Sequence, residues 1–179
     1  MLAYTVSIAN HLVGARLSPE PPSLLTPVTW HSRAWPQHCD HMRHINNARY
    51  FLLMDYGRTR YFAENRLLKP MYQGGFTSLA AGSAITYRRS IDMMSPFTLT
   101  TRVAHYDDDW CIFEHTFSAP GVGDAVRSHI RLRLLRNGQR CSLADLMEYV
   151  GKSEPSPNSP EALAAFDQYS AAIVPELGK

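Results

Sequence analysis

Cysteine is scarce in this 179-residue chain: Cys39, Cys111 and Cys141 are widely spaced, odd in number and form no CxxC pair. That excludes a disulfide framework and a paired-thiol metal motif, and it suits free thiols in a reducing, cytoplasmic compartment. Charge of one sign is also lacking. With 18 basic and 16 acidic residues the net charge is +2, so no global field marks nucleic acid or a membrane surface as partner. No apolar run approaches the roughly twenty residues of a membrane span. Residues 1–17 are moderately apolar, but no basic stretch precedes them and no small-residue cleavage site follows, so they read as a short amphipathic helix rather than a signal peptide. Proline is thin in the body of the chain and gathers in Ser18–Pro27 and Ser153–Pro160, which read as linkers. The expected division is an extension over 1–24, one domain over 25–150, and a linker with a C-terminal helix over 151–179.

What is present is one sheet-forming and one helical vocabulary. Val28–Trp35 reads as a strand and Pro36–Arg43 as a polar loop. Over Asn46–Asn65 the spacing becomes helical, with Tyr50, Phe51, Met54, Gly57, Tyr61 and Phe62 on one stripe. The other side carries Arg49 and Arg60 but also Leu52, Leu53 and Tyr56, which calls for a covering element or a second subunit. Four strand-like runs follow at Ser78–Arg89, Phe97–Tyr106, Trp110–Ser118 and Ala125–Arg136, with a hairpin at Asp107–Asp109 and a turn at Asn137-Gly138. Ser159-Pro160-Glu161 opens a C-terminal helix over 162–174. One strand, one long helix and four strands predict an α+β fold in which an antiparallel sheet wraps around the helix. Its edges call for a symmetric partner.

The chemistry concentrates in Asp40-His41-Met42-Arg43-His44-Ile45-Asn46-Asn47-Ala48-Arg49-Tyr50, an acid, a His and two Asn on the loop that opens the long helix. Asn46 or Asn47 suits the N-cap. A helix N-terminus offers backbone N–H groups and the positive end of a dipole to a carbonyl oxygen gaining charge, and a nearby carboxylate can attack that carbonyl or activate a water. The competing role for Asp40 is to stabilise the turn, and for His44 to pin the loop.

This stretch resembles the D-x-N-x-H-x-N-N-x-x-Y signature of hot-dog acyl-CoA thioesterases related to 4-hydroxybenzoyl-CoA thioesterase. Asp40, His44, Asn46, Asn47 and Tyr50 match; Met42 stands where many relatives carry Asn. The similarity continues through Gly57-Arg58, Ala84–Arg89 and Trp110–Phe117, and spans residues 30–150. It implies a hot-dog fold, hydrolysis of acyl-CoA or a similar acyl thioester, and a homodimer or homotetramer with sites at its interface. It also implies Asp40 as base or nucleophile, with His44, Asn46 and Asn47 in the catalytic set, and no cofactor. Tyr50, Phe51 and Met54 would then shape the acyl pocket, while Arg88 and Arg89, or Arg127, Arg131 and Arg133, would meet the phosphates of CoA. A hydratase or dehydratase on the same fold and a non-catalytic acyl-binding protein are the alternatives.

Three other readings bear on the same residues. His38, Cys39, Asp40, His41 and His44 crowd together as metal ligands would, yet without zinc-finger or HExxH spacing, so no metal is expected. Cys39 reads as a small buried residue rather than a nucleophile. Arg58 on the apolar stripe requires a partner, and Asp55, three residues earlier, is expected to supply it, the alternative being that Asp55 faces the substrate from the helix. Of Glu114 and His115 only one can face inward.

Overall fold

The computed structural model describes residues 23–157, 159, 164 and 166–168. The helix expected over 1–17 lies outside them, as does most of the helix expected over 162–174, whose described residues 164 and 166–168 are helical. Five strands, β1 (Val28–Arg33), β2 (Phe76–Tyr87), β3 (Pro96–Tyr106), β4 (Cys111–Ala119) and β5 (Gly123–Arg136), form one antiparallel sheet in the order β1-β3-β4-β5-β2. A sixth, β6 (Gln139–Cys141), adds to the end of β5. The helices are α1 (Asn47–Glu64), α2 (Leu68–Gln73) and α3 (Leu143–Tyr149). No helix among the described residues is long and apolar enough to cross a membrane.

The sheet curls around α1 because strand alternation gives it one apolar face. Leu99 and Val103 of β3, Phe113 and Phe117 of β4, and Val126, Ile130 and Leu134 of β5 are all buried there. From α1, Tyr61 sets its ring edge-on to Phe113 with centroids 5.0 Å apart, and Tyr50 does the same to Phe117 at 4.9 Å. Burying Leu53, Met54 and Phe62 of the same helix stabilises the fold by about 1.5–3 kcal/mol each relative to leaving them in water.

The stripe read from the sequence needs one correction. Leu53 is fully buried, whereas Phe51 is exposed, so the inward face is turned by part of a residue step from the one expected. Gly57, on the expected stripe and on the observed one, sets how close the helix comes to the sheet. A Cβ there would stand 2.6 Å from Thr101 Oγ1 and 2.9 Å from Leu99 Cδ2, so its absence lets α1 rest directly on β3.

The turns follow their residues. Asp107 Oδ1 accepts the N–H groups of Asp109 at 2.8 Å and Trp110 at 2.7 Å, closing the β3–β4 hairpin. Asn137 and Gly138 both take positive φ, 50° and 81°, between β5 and β6. The helix α3 opens on a capping box in which Ser142 and Asp145 satisfy each other's backbone N–H groups. Glu154 ties the ends of the described chain together, accepting the N–H of Leu24 at 2.6 Å and the hydroxyl of Ser23.

Candidate active site

The Asp40 loop is sewn down on two sides. Asp40 N–H donates to the His44 carbonyl at 3.2 Å and Arg43 N–H to the Asp40 carbonyl at 3.0 Å, closing a tight turn in which Arg43 takes φ 61°. The turn is then pinned to the segment before β3, Ile45 N–H donating to Ile91 O at 3.0 Å and Met93 N–H to Arg43 O at 2.7 Å.

Within it, Asp40 Oδ1 accepts the Met42 N–H at 2.9 Å, and Oδ2 accepts from Asn46 Nδ2 at 3.3 Å. His44 Nδ1 lies 3.7 Å from Asp40 Oδ1 and 3.5 Å from the Ile45 carbonyl. Asn46 is the N-cap of α1: its Oδ1 accepts the Ala48 N–H at 2.9 Å, while its backbone is extended, at φ −65° and ψ 139°. Asn47 is the first residue of the helix, exposed, and its carbonyl accepts the Tyr87 hydroxyl at 3.2 Å, so the end of β2 leans on the first turn of α1. Asp40, His44, Asn46 and Asn47 are thus brought together at the N-terminus of α1. Met42 contributes its backbone N–H to Asp40, and its side chain is exposed.

Cys39 is turned to the carbonyls of Trp35 and Ala34, and burial, helped by the charge of Asp40, pushes its thiol pKa up, which disfavours a thiolate. Among the described residues no three His, Cys, Asp or Glu side chains converge as metal ligands would.

Beside this corner runs a groove of about 310 Å³ between α1 and β2, lined by Phe51, Asp55 and Arg58 on the helix side and by 80–83 on the strand side. Its strand wall is made of small residues, and at Ala80/Gly82 the pairing with β5 shifts by one residue, a bulge. Of the residues expected to shape an acyl pocket, Phe51 lines this groove, whereas Tyr50 and Met54 are buried in the core and do not line it.

The groove's polar floor was not foreseen. Arg58 is buried and pairs with Asp55, as its place on the stripe demanded, but its Nη1 also lies 3.2 Å from His115 Nε2. His115 Nδ1 is in turn 3.1 Å from Thr101 Oγ1. Arginine has only donors, so Nε2 must accept, and the ring proton belongs on Nδ1, where it donates to Thr101. Burial first, and Arg58 second, hold the His115 pKa well below the usual range, so the ring is neutral. The clue in the sequence was positional: His115 is the one polar residue between Phe113 and Phe117 on the inward side of β4.

Glu114 faces the other way. His129 Nε2 at 3.2 Å and a two-pronged contact from Arg102 at 2.9 Å pull its pKa down to about 2. This outer sheet face also carries a cleft of about 290 Å³ lined by Arg88, Arg127, His129 and Asp124, the last paired with Arg127 at 3.1 Å. Arg88 and Arg89 are exposed. Arg131 and Arg133 stack on the Trp110 ring, at 4.2 and 3.7 Å from its centroid.

A family model, the Thioesterase-like superfamily, matches residues 34–166. The chain belongs to that superfamily. It is 30% identical over 116 residues to the protein THEM6 of Xenopus laevis, covering 65% of this chain and 56% of that protein. To THEM6 of Drosophila melanogaster it is 25% identical over 122 residues, covering 68% and 62%. The chain therefore spans less than two thirds of the length of these curated relatives. Among solved structures it resembles the probable thioesterase YbaW of Escherichia coli (TM-score 0.62, 17% identity, 68% of this chain and 95% of that one). A 1,4-dihydroxy-2-naphthoyl-CoA thioesterase from Synechocystis superposes at TM-score 0.60 with 7% identity over 69% and 93% of the two chains. A Staphylococcus aureus protein solved in complex with CoA does so at 0.62 with 16% identity over 80% and 96%. At these identities the structures speak for the fold, which is the hot-dog fold expected from the sequence.

Proposed function

We propose that this superfamily member hydrolyses an acyl-CoA, or a similar acyl thioester, to free acid and thiol. The observation that carries the reading is the Asp40 carboxylate, held by the Met42 N–H and the Asn46 amide beside the capped N-terminus of α1. The helix end polarises the thioester carbonyl and stabilises the oxyanion. Asp40 then acts as general base toward water or as nucleophile, His44 orients the acid or the water, and Asn46 and Asn47 set the helix end against the substrate.

Residues 25–150 form the catalytic body in this reading, with 1–24 and 151–179 as extensions. The acyl group lies in the groove past Phe51, and Tyr50 and Met54 back it from within the core. Arg88 and Arg89, exposed just after β2, meet the phosphates of CoA. Two subunits pair to complete the site, as a homodimer or a homotetramer, in the cytoplasm, and no cofactor takes part.

A panel of acyl-CoA and aroyl-CoA thioesters with detection of free thiol tests this directly. Thiol release well above the spontaneous rate is expected for at least one class. Silence across the panel removes the hydrolytic reading. Water addition to an enoyl-CoA without thiol release would place the protein among hydratases, and tight binding without turnover would make it an acyl-binding protein.

A further inference from the structure

Asp55 stands half-exposed in the wall of the α1–β2 groove, with Oδ1 taking the Arg58 guanidinium and no bond to Oδ2 among the described residues. Pairing with Arg58 accounts for one oxygen of that carboxylate, and covering the other with a plain hydrocarbon chain removes its water without replacing the hydrogen bonds. The pair with Arg58 is net neutral, so neither a cationic nor an anionic ligand gains much from it. A neutral hydrogen-bond donor does gain, because a carboxylate oxygen accepts strongly from a hydroxyl.

We propose, building on the thioester reading above, that the groove selects acyl groups carrying a hydroxyl along their chain, received by Asp55, with Arg58, His115 and Thr101 as positioning residues. The support is a continuous rigid chain of contacts. Thr101 Oγ1 receives the Nδ1 proton of His115 at 3.1 Å, His115 Nε2 receives Arg58 Nη1 at 3.2 Å, and Arg58 Nη2 holds Asp55 Oδ1. Both His115 and Thr101 are buried to within 1% of complete, and Gly57 brings the helix down on Thr101, so this support does not swing with solvent. An arginine anchored at one end only would let the carboxylate wander among rotamers. Anchored at both, it presents one acceptor in one place.

The location also says where the hydroxyl must be. Asp55 follows Asn47 by eight residues, which at helical rise is roughly 12 Å along the axis from the helix end that polarises the carbonyl. That separation exceeds the reach of a hydroxyl on a single benzoyl ring and fits one part-way along an extended chain. Ser83 lines the facing wall and offers a second polar group to the same hydroxyl.

The test uses non-hydrolysable CoA thioethers with the full chain: plain alkyl-CoA against equal-length hydroxyalkyl-CoA, the hydroxyl moved one carbon at a time, with binding read by calorimetry. One hydroxyl position is expected to bind about tenfold tighter than the plain chain, the effect of one hydrogen bond to a charged group. Asp55→Asn, which keeps an oxygen for the Arg58 guanidinium but loses the charge, should bring that ratio down toward one. His115→Gln keeps an acceptor for Arg58 and should retain the preference; His115→Leu should reduce it, and if that variant fails to fold, the first two decide. Equal affinities at every position, no binding of either analogue, or a preference undiminished in Asp55→Asn overturns the proposal. Thiol release from the matching thioesters is measured separately, so a failure of hydrolysis is told apart from a failure of hydroxyl selection.

Discussion

Asn46 bridges Asp40 and the helix it caps: its Nδ2 donates to Asp40 Oδ2 at 3.3 Å while its Oδ1 accepts the Ala48 N–H at 2.9 Å. One side-chain amide therefore fixes the distance between the acid and the dipole that would share a reaction. The same bond explains why a turn-stabilising role and a catalytic role for Asp40 are hard to separate by inspection. They separate under substitution.

Asp40→Asn keeps the size of the side chain and an oxygen for the Met42 N–H, gives up only the long 3.3 Å bond from Asn46 Nδ2, and suits turns as well as Asp does. The variant is expected to fold and associate as the wild type does and to bind substrate with near-normal affinity. Turnover should fall about a hundred-fold or more, since the negative charge required of a base or nucleophile is gone. Steady-state kinetics with thiol detection measure this. A loss of only a few-fold would leave Asp40 a structural residue.

Gly57→Ala puts two effects in opposition. Alanine gains about 1 kcal/mol of helix propensity over glycine. Against that, its Cβ would sit 2.6 Å from Thr101 Oγ1 and 2.9 Å from Leu99 Cδ2, both buried, and overpacking of this kind costs about 1–3 kcal/mol. The net expectation is destabilisation, read as a lower midpoint in urea. An unchanged or higher midpoint would show that α1 can lift off β3 at little cost.

Stability should also fall on mild acidification. His115 is held neutral in the folded chain, its pKa well below the ordinary 6.5 by burial and then by Arg58, whereas the unfolded chain protonates it normally. Below that unfolded value the unfolded state binds the extra proton, so unfolding becomes easier as pH drops, by up to about 1.4 kcal/mol per pH unit. His38, lowered by burial and Arg49, acts in the same direction. Glu114, pulled down to about 2 by His129 and Arg102, adds its loss only below its unfolded value of 4.5. Urea midpoints from pH 7 to 5 should therefore be flatter for His115→Gln than for the wild type, and identical slopes would contradict a neutral buried His115.

Much of this architecture was legible because strand and helix periodicities are strong where one face is buried. Arg127, His129, Arg131 and Arg133 alternating with buried Ser128, Ile130, Leu132 and Leu134 left one reading for β5. The long helix was equally plain, and its cap was narrowed to Asn46 or Asn47, of which Asn46 takes the role. What escaped were short elements: α3 carries an S-x-x-D capping box at Ser142 and Asp145 that could have been noticed, but α2 contains Pro70 and only six residues, too few for periodicity to show. The Arg58 partner set was half legible. Asp55 lies on the same helix, a local relationship, whereas His115 and Thr101 come from strands whose register against α1 no spacing rule supplies.

Strand β2 carries the last expectation. It is 12 residues long, pairs on one side with β5, and ends the sheet on its other side among the described residues. Leu79 and Tyr87 on it are 54% and 39% exposed, and Phe51 of α1 beside it is 40% exposed. A long apolar edge of this kind invites pairing, and a second copy related by a two-fold axis would satisfy it with the same surface, continuing the sheet and roofing the groove. The wild-type chain is therefore expected to be at least a dimer at micromolar concentration by light scattering. Leu79→Lys places on the edge the charge that isolated edges use to stay unpaired, and should shift the population toward monomer without loss of secondary structure. If the groove needs its roof, thiol release should fall in step with the dimer fraction. A monomeric wild type would refute the pairing and, with it, a site completed by two chains.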